Sequence, residues 1–236
     1  MNFETFPASS ALVEQTAELF IETAADAIRA RGRFAAALAG GSTPRALYER
    51  LSRMPLDWQN IHLFWGDERC VPPGHADSNY RMTAESLLDH IPIPPENIHR
   101  ILGELSPAQA AESYEQELRA FFGDSPRFDL VLLGMGDDGH TASLFPGSPA
   151  LAEFVRWAVA VEHTTPPLPL VSRVTLTFGV FNAARRVIFL VSGGGKASRL
   201  AEIQRGDDYP AGRIQPADGD LLWFLDESAA SLLKQA

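Results

Sequence analysis

The sequence predicts an α/β protein: a mainly parallel, doubly wound sheet flanked by helices. Three observations carry that prediction. Short apolar runs such as Phe34-Ala-Ala-Ala-Leu38 and Leu130-Val-Leu-Leu133 show no polar alternation, as expected of strands buried on both faces. Segments of helical period alternate with these runs, the order that parallel sheets with crossover helices require. Several runs end directly in glycine-rich turns, where open α/β sheets gather their ligands.

Val13, Ala17, Phe20, Ala24, Ala27 and Ile28 recur at helical spacing and predict a helix over Ser9–Arg31. An apolar run over 33–39 predicts a strand, ended by Gly40-Gly41-Ser42-Thr43-Pro44. Thr43 suits an N-cap and Pro44 the first helical position, so a helix should follow to about Arg53. Ile61–Trp65 predicts a second strand, closed by Gly66-Asp67-Glu68-Arg69. A polar loop leads to a helix over 78–90. Ser106-Pro107-Ala108-Gln109 is a capping-box pattern with proline at N1, and its helix should end at Gly123. Leu130–Leu133, 157–161, 187–191 and 221–225 are the remaining strand candidates. A Pro-rich loop over 164–169 precedes a helix at 178–184. Ser192-Gly-Gly-Gly195-Lys196 opens a helix to Gln204, and 227–234 closes the chain as a helix. With no repeat, low-complexity tract or linker, residues 1–236 are read as one domain.

Of the 236 residues, 45% are hydrophobic and 21% charged, and the formal net charge is −10. Ample apolar sequence supports a real core. An acidic chain disfavours nucleic acid, whose phosphates need Lys/Arg patches. A small anion is still accommodated, because a few local cations outweigh a distant, screened field. One cysteine, Cys70, leaves no internal disulfide and is compatible with a reducing compartment. Residues 1–7 lack a secretory pattern, and no apolar run approaches the ~20 residues that span a bilayer. The expectation is a cytoplasmic protein with no membrane association and no indicated obligate protein partner.

The chemistry concentrates after the 130–133 strand, in Gly134-Met-Gly-Asp-Asp-Gly-His140. Glycines let a ligand approach the backbone, and histidine moves protons near neutral pH. Asp138, two residues before His140, suits a carboxylate that orients the imidazole and raises its basicity. The same stretch matches Gly-x-Gly-x-x-Gly, but Asp137 and Asp138 would repel a pyrophosphate, and Pro146, Gly147 and Pro149 interrupt the crossover helix that a dinucleotide site needs. A Walker A reading fails on the same acids and on histidine in place of lysine. Gly41, Ser42 and Thr43 form a strand-to-helix turn suited to an anion. Lys196 adds a cation beside a second such turn. Arg69 could fork onto a phosphate or carboxylate, held by one of the two neighbouring acids, Asp67 or Glu68. Arg173 is a weaker candidate of the same kind. No serine-hydrolase elbow and no His-Glu-x-x-His is present, and the six histidines are scattered, so no metal site is indicated.

Leu38-Ala-Gly-Gly-Ser-Thr-Pro-Arg45, Trp65-Gly-Asp-Glu-Arg69, Ser78-Asn79-Tyr80, the run from Leu132 through Gly139-His-Thr-Ala-Ser-Leu-Phe-Pro146, and Arg173-Val-Thr-Leu-Thr177 stand in family order. Over nearly its whole length the chain resembles the 6-phosphogluconolactonase family. The resemblance implies the α/β fold shared with glucosamine-6-phosphate deaminase and ribose-5-phosphate isomerase. It implies a small-molecule phosphorylated lactone as substrate, hydrolysed by water activated at a general base corresponding to His140. It implies phosphate binding by Gly41, Ser42 and Thr43 with Arg69, Arg173 and Lys196, and no cofactor or metal. Phe178-Gly179 departs from the family's Leu-Pro, which touches only the local helix start. The nearest alternative, a glucosamine-6-phosphate deaminase, should carry Asn-Glu-Pro where this chain has Leu144-Phe145-Pro146. A non-catalytic sugar-phosphate-binding regulator would keep the anion loops without needing His140.

Overall fold

The computed structural model describes residues 2–234. In chain order its elements are β1 (Asn2–Phe6), α1 (Ser9–Arg31), β2 (Phe34–Leu38), α2 (Ser42–Leu51), β3 (Ile61–Trp65), β4 (Asp67–Arg69), α3 (Asn79–Ser86), β5 (Ile98–His99), α4 (Pro107–Phe122), β6 (Leu130–Leu133), β7 (Ala158–Val161), β8 (Arg173–Leu176), α5 (Phe178–Asn182), β9 (Arg186–Val191), α6 (Ala197–Gln204), β10 (Asp220–Asp226) and α7 (Glu227–Ala230), with short 3₁₀ turns between them. Seven strands form a parallel sheet in the order β1-β10-β9-β6-β2-β3-β5. Three more form a small antiparallel sheet, β4-β8-β7.

The unbroken apolar runs occupy the sheet centre, as their pattern requires. Every residue of β2 and β6 is buried. Helix α1 buries Leu12, Val13, Ala17, Phe20, Ala24 and Ala27 along one face and sets Phe20 edge-on to Phe34 of β2, ring centroids 5.1 Å apart. Gly32, at φ +76°, ends the helix and donates its N–H to the Ile28 carbonyl, a left-handed cap that glycine adopts without side-chain cost. Between β9 and β10, Phe189 and Trp223 face each other in register and stack at 3.8 Å. Such a pair adds ~0.5–1.5 kcal/mol beyond burial.

Three kinds of local expectation need correction. Helix α2 starts at Ser42 rather than after Thr43, because Gly41 takes φ +108° and serves as N-cap; Pro44 is thus the third helical residue, and the helix ends at Leu51. The Ser106 hydroxyl donates to Gln109 Oε1 at 2.6 Å and caps no backbone N–H. The 78–90 helix divides into α3, capped by Ser78, and a separate turn at Leu88–His90, and the last helix stops at Ala230. Helix α5 does begin at Phe178, after Thr177.

Strands β4 and β8 of the small sheet and the edge strands β1 and β5 have no counterpart in the sequence reading. The 157–161 run is a strand as expected, but in the small sheet rather than the large one. β4 and β8 carry Asp67, Glu68, Arg69 and Arg173. Charged strands gain their stability from partners across the sheet, which no local pattern reveals.

The chain runs from β2 outward to β3 and β5, then returns across β2 to lay down β6, β9 and β10. The order therefore reverses between β2 and β6. The adjacent strands β9, β6, β2 and β3 all end on the same edge, at Ser192-Gly193, Gly134, Gly40 and Gly66. That edge is where a crevice must open.

Asp226 secures one side of it. At the end of β10 it caps α7, accepting from the Ala229 N–H at 2.8 Å, and reaches across to accept from the Gly193 N–H at 3.0 Å and from the Ser192 hydroxyl. Burial pushes its carboxyl up, but the Ser192, Ala229 and Gly193 donors together outweigh that and hold it below the usual range. A depressed folded-state value means that this stabilisation is complete above the unfolded value of about 3.9 and is lost as pH falls through the lower folded one. Asp226→Asn should therefore cost about 1 kcal/mol at neutral pH, and the gap to wild type should shrink well below about pH 4. Urea denaturation at both pH values checks this; a gap of constant size would refute it.

Candidate active site

The crevice is lined by residues from each strand end that meets there, among them Gly40, Gly66, Gly134, His140, Arg173 and Lys196. His140 is delivered by the turn after β6. The Gly139 N–H donates to the Gly136 carbonyl at 3.0 Å, and the Gly136 N–H donates to the His140 carbonyl at 2.9 Å. Gly139 holds φ +83°, a conformation that favours glycine.

The expected Asp138–His140 partnership is formed. His140 Nδ1 lies 2.5 Å from Asp138 Oδ1, and the His140 backbone N–H donates to the same oxygen at 3.1 Å. Burial pushes the Asp138 carboxyl up, yet its contacts with His140 outweigh this and leave it below its ordinary value. Asp138 is therefore an anion at neutral pH and can only accept. Nδ1 must carry the hydrogen, which leaves Nε2 of the neutral ring with a free lone pair. That is the geometry of a base oriented by a carboxylate.

The ring is confined on its other sides. Phe145 lies 4.6 Å from it, and His163 stacks on Phe145 at 4.2 Å. His163 in turn donates through Nε2 to the Pro167 carbonyl at 2.5 Å. Beneath the ring, a Cβ on Gly136 would come 2.1 Å from His140 Nδ1. Just beyond, Ala142 lines the crevice at φ +47°, a strained backbone of the kind that clusters at functional sites.

Arg69 and Arg173 are brought together by the small sheet. They face each other directly across the β4–β8 pair, where like charges are destabilising. Each spends one N–H on a carbonyl: Arg69 on Asp77 at 2.6 Å and Arg173 on Pro169 at 3.1 Å. Both Nε groups are buried without a partner among the described residues. Burial holds the Arg173 guanidinium below its usual value, with Asp67 opposing that and Arg69 adding to it. Two neighbouring guanidinium groups with spare donors, Arg173 buried and Arg69 partly so, suit a multiply charged anion.

Asp67 lines the crevice beside them, its carboxylate accepting from the Ser143 hydroxyl at 2.6 Å and from Asn79 Nδ2 at 3.3 Å. Glu68 points away into the protein and accepts from Arg69 N, Asn79 N, Tyr80 N and the Ser78 hydroxyl, all within 3.0 Å. Burial dominates its titration and leaves it above the usual carboxylate range despite these donors. It locks the start of α3 to β4. Asn79 also fills the space over Gly40, where a Cβ would sit 2.0 Å from its Oδ1. Asn79, Phe145 and His163 are the site residues for which the sequence offered no role. The first two stood inside recognised motifs, whereas the stacking of His163 on Phe145 spans a longer stretch of chain.

Of the anion turn after β2, Gly41 lines the crevice, whereas Ser42 and Thr43 lie in the first turn of α2 and do not. Lys196 lines it too, but its Nζ is 2.5 Å from Asp137 Oδ1. Cys70 lies outside the lining, and burial followed by the Glu68 charge pushes its thiol up to about 11 against an opposing Arg173, which disfavours the reactive thiolate. Among the described residues no group of three His, Cys, Asp or Glu side chains is placed to hold a metal ion, and no helix is long and apolar enough to cross a membrane.

Known proteins share the sequence pattern and the fold of this chain. The family model described as glucosamine-6-phosphate isomerases/6-phosphogluconolactonase matches residues 7–223. A Nostoc sp. protein named 6-phosphogluconolactonase is 44% identical over 98% of this chain and 97% of its own length. A human protein of the same name is 44% identical over 97% of this chain and 92% of its own. The solved structure of 6-phosphogluconolactonase from Trypanosoma brucei superposes with a TM-score of 0.90 at 29% identity, covering 99% of this chain and 98% of that one.

Proposed function

The chain belongs to the glucosamine-6-phosphate isomerase/6-phosphogluconolactonase family, and on that premise we propose that it hydrolyses 6-phospho-D-glucono-1,5-lactone to 6-phospho-D-gluconate, a step of the oxidative pentose phosphate pathway. The observation that carries this reading is the His140–Asp138 contact, opening onto a crevice that also holds Arg69, Arg173 and Lys196. One end of such a site handles a proton while the other holds a phosphate.

Phosphate binding at the arginines supplies energy remote from the reacting carbonyl, which the enzyme can use to hold the lactone for attack. Nε2 of His140 takes a proton from water as that water adds to C1. Asp138 stabilises the imidazolium that forms. The tetrahedral oxyanion needs donors, which the backbone N–H groups of the crevice-lining Gly40-Gly41 turn can supply. The imidazolium then protonates the departing ring oxygen, so one histidine is base and then acid. Asp67 suits a sugar hydroxyl, since a carboxylate accepts only. The crevice draws on both sheets, in keeping with residues 1–236 acting as one domain, and a cytoplasmic setting belongs to the same reading.

Nothing in the site favours the deaminase alternative. Phe145, an apolar ring against His140, stands where that relative's segment should carry a glutamate.

The direct test is lactone disappearance, with substrate generated in place from glucose 6-phosphate and compared with spontaneous hydrolysis. Acceleration is expected; its absence defeats the reading. Arg69→Ala should mainly raise KM for the phosphorylated lactone and erode its preference over free glucono-1,5-lactone by roughly tenfold or more, since a hydrogen bond to a charged group contributes ~1.5–3 kcal/mol. An unchanged preference would remove Arg69 from phosphate binding.

A further inference from the structure

Among the described residues, Lys196 is the one Lys or Arg lining the crevice that a carboxylate engages at close range. Its Nζ meets Asp137 Oδ1 at 2.5 Å, with the lysine side chain 25% exposed and the aspartate 76% exposed. The two partners are therefore unequal. The lysine is largely enclosed and faces the crevice, whereas the aspartate stands in water and loses little on turning away. A phosphate entering the crevice must compete with this carboxylate for the ammonium group.

The Asp137 side chain is not needed to hold its turn. Arg199 Nε donates to the Asp137 backbone carbonyl at 3.2 Å, and the turn is closed by the Gly136 and Gly139 N–H bonds. Tyr209, stacked under the Arg199 guanidinium at 4.3 Å, packs against Gly139. The backbone is clamped from both sides while the carboxylate is free to leave.

We propose that Asp137 is an internal counter-anion that the substrate's phosphate displaces from Lys196, so that it limits affinity for phosphorylated ligands and speeds their release. The inference rests on the reading of the crevice as a phosphosugar site. It assigns Asp137 a specificity-tuning role whose removal tightens binding, the reverse of what loss of a structural ion pair does. A partly exposed pair of this kind contributes a modest competing interaction, equivalent to a change of about two- to fivefold in affinity.

The test is a set of four proteins: wild type, Asp137→Asn, Lys196→Met and the double variant. Affinities for inorganic phosphate and 6-phosphogluconate are measured by calorimetry, with KM and kcat for the lactone alongside. Asp137→Asn should bind both anions about two- to fivefold more tightly and lower KM similarly, with little change in kcat. In the Lys196→Met background the same substitution should change nothing. Weaker or unchanged binding by Asp137→Asn, or an equal effect without Lys196, would overturn the proposal. Asp137→Ser, run in parallel, gives the same reading if the asparagine variant disturbs the turn. Anion affinity is read without turnover, so loss of the lactonase reading and loss of this inference are separate outcomes.

Discussion

His140→Ala is expected to lower kcat by roughly 10²–10⁴-fold, the range of a lost general acid–base group, with little change in KM. The reasoning is geometric. Nε2 is the one ring nitrogen left free once Nδ1 is bound to Asp138. The proposed phosphate cations lie outside the turn that carries the histidine, Arg69 and Arg173 in the small sheet and Lys196 after β9. Removing the imidazole should therefore spare ground-state binding while removing proton transfer in the transition state, the signature of a kcat effect. The residual rate reports what positioning and oxyanion stabilisation achieve alone. Steady-state kinetics corrected for spontaneous hydrolysis checks this. Turnover within about threefold of wild type would exclude His140 as base.

A substitution that touches no functional group should come close to the same loss. Gly136→Ala places a Cβ 2.1 Å from His140 Nδ1, 2.2 Å from Cε1 and 2.7 Å from Asp138 Oδ1. No van der Waals contact exists at such distances, so the ring or the turn must move. The ring has little room to yield, with Phe145 at 4.6 Å and itself backed by His163. Displacement by about 1 Å costs on the order of 10²-fold in rate when reacting groups leave attack geometry. We expect a kcat fall of roughly 10–10³-fold in a protein whose circular dichroism is unchanged. A variant with normal kcat would mean that the observed ring position is not the catalytic one. Gly136 is thus required for space, whereas Gly139 is required for its backbone angle as well.

Much of this was legible in the chain. The central strands could be read because burial on both faces leaves an unbroken apolar run, and β2, β3, β6 and β9 fall where those runs lie. The glycine turns could be read because a strand end next to glycine marks the ligand edge of such a sheet. Asp138 and His140 could be paired because two residues across a tight turn lie within reach of each other. Each signal is local: the cause and the consequence lie within a few residues.

The rest depended on register. Asp67 meets Ser143 across 76 positions of chain, and Arg69 meets Arg173 only because β4 and β8 align those residues. Neither strand announces itself, since the acids of β4 are held by Ser143, Asn79 and Ser78, and Arg69 faces a like charge in Arg173. The family resemblance groups Arg69, Arg173 and Lys196 around one phosphate, without saying how they meet. That the first two face each other with unpartnered Nε groups, while the third is held by Asp137, follows from strand pairing and turn packing. The sequence by itself determined the fold class, the edge of the sheet that carries the site and the histidine with its carboxylate, because those are written in local periodicity and turn chemistry. The tertiary structure alone decided which charges meet, because a salt bridge depends on distance in space, and distance between remote residues is set by the register of strands that local pattern does not encode.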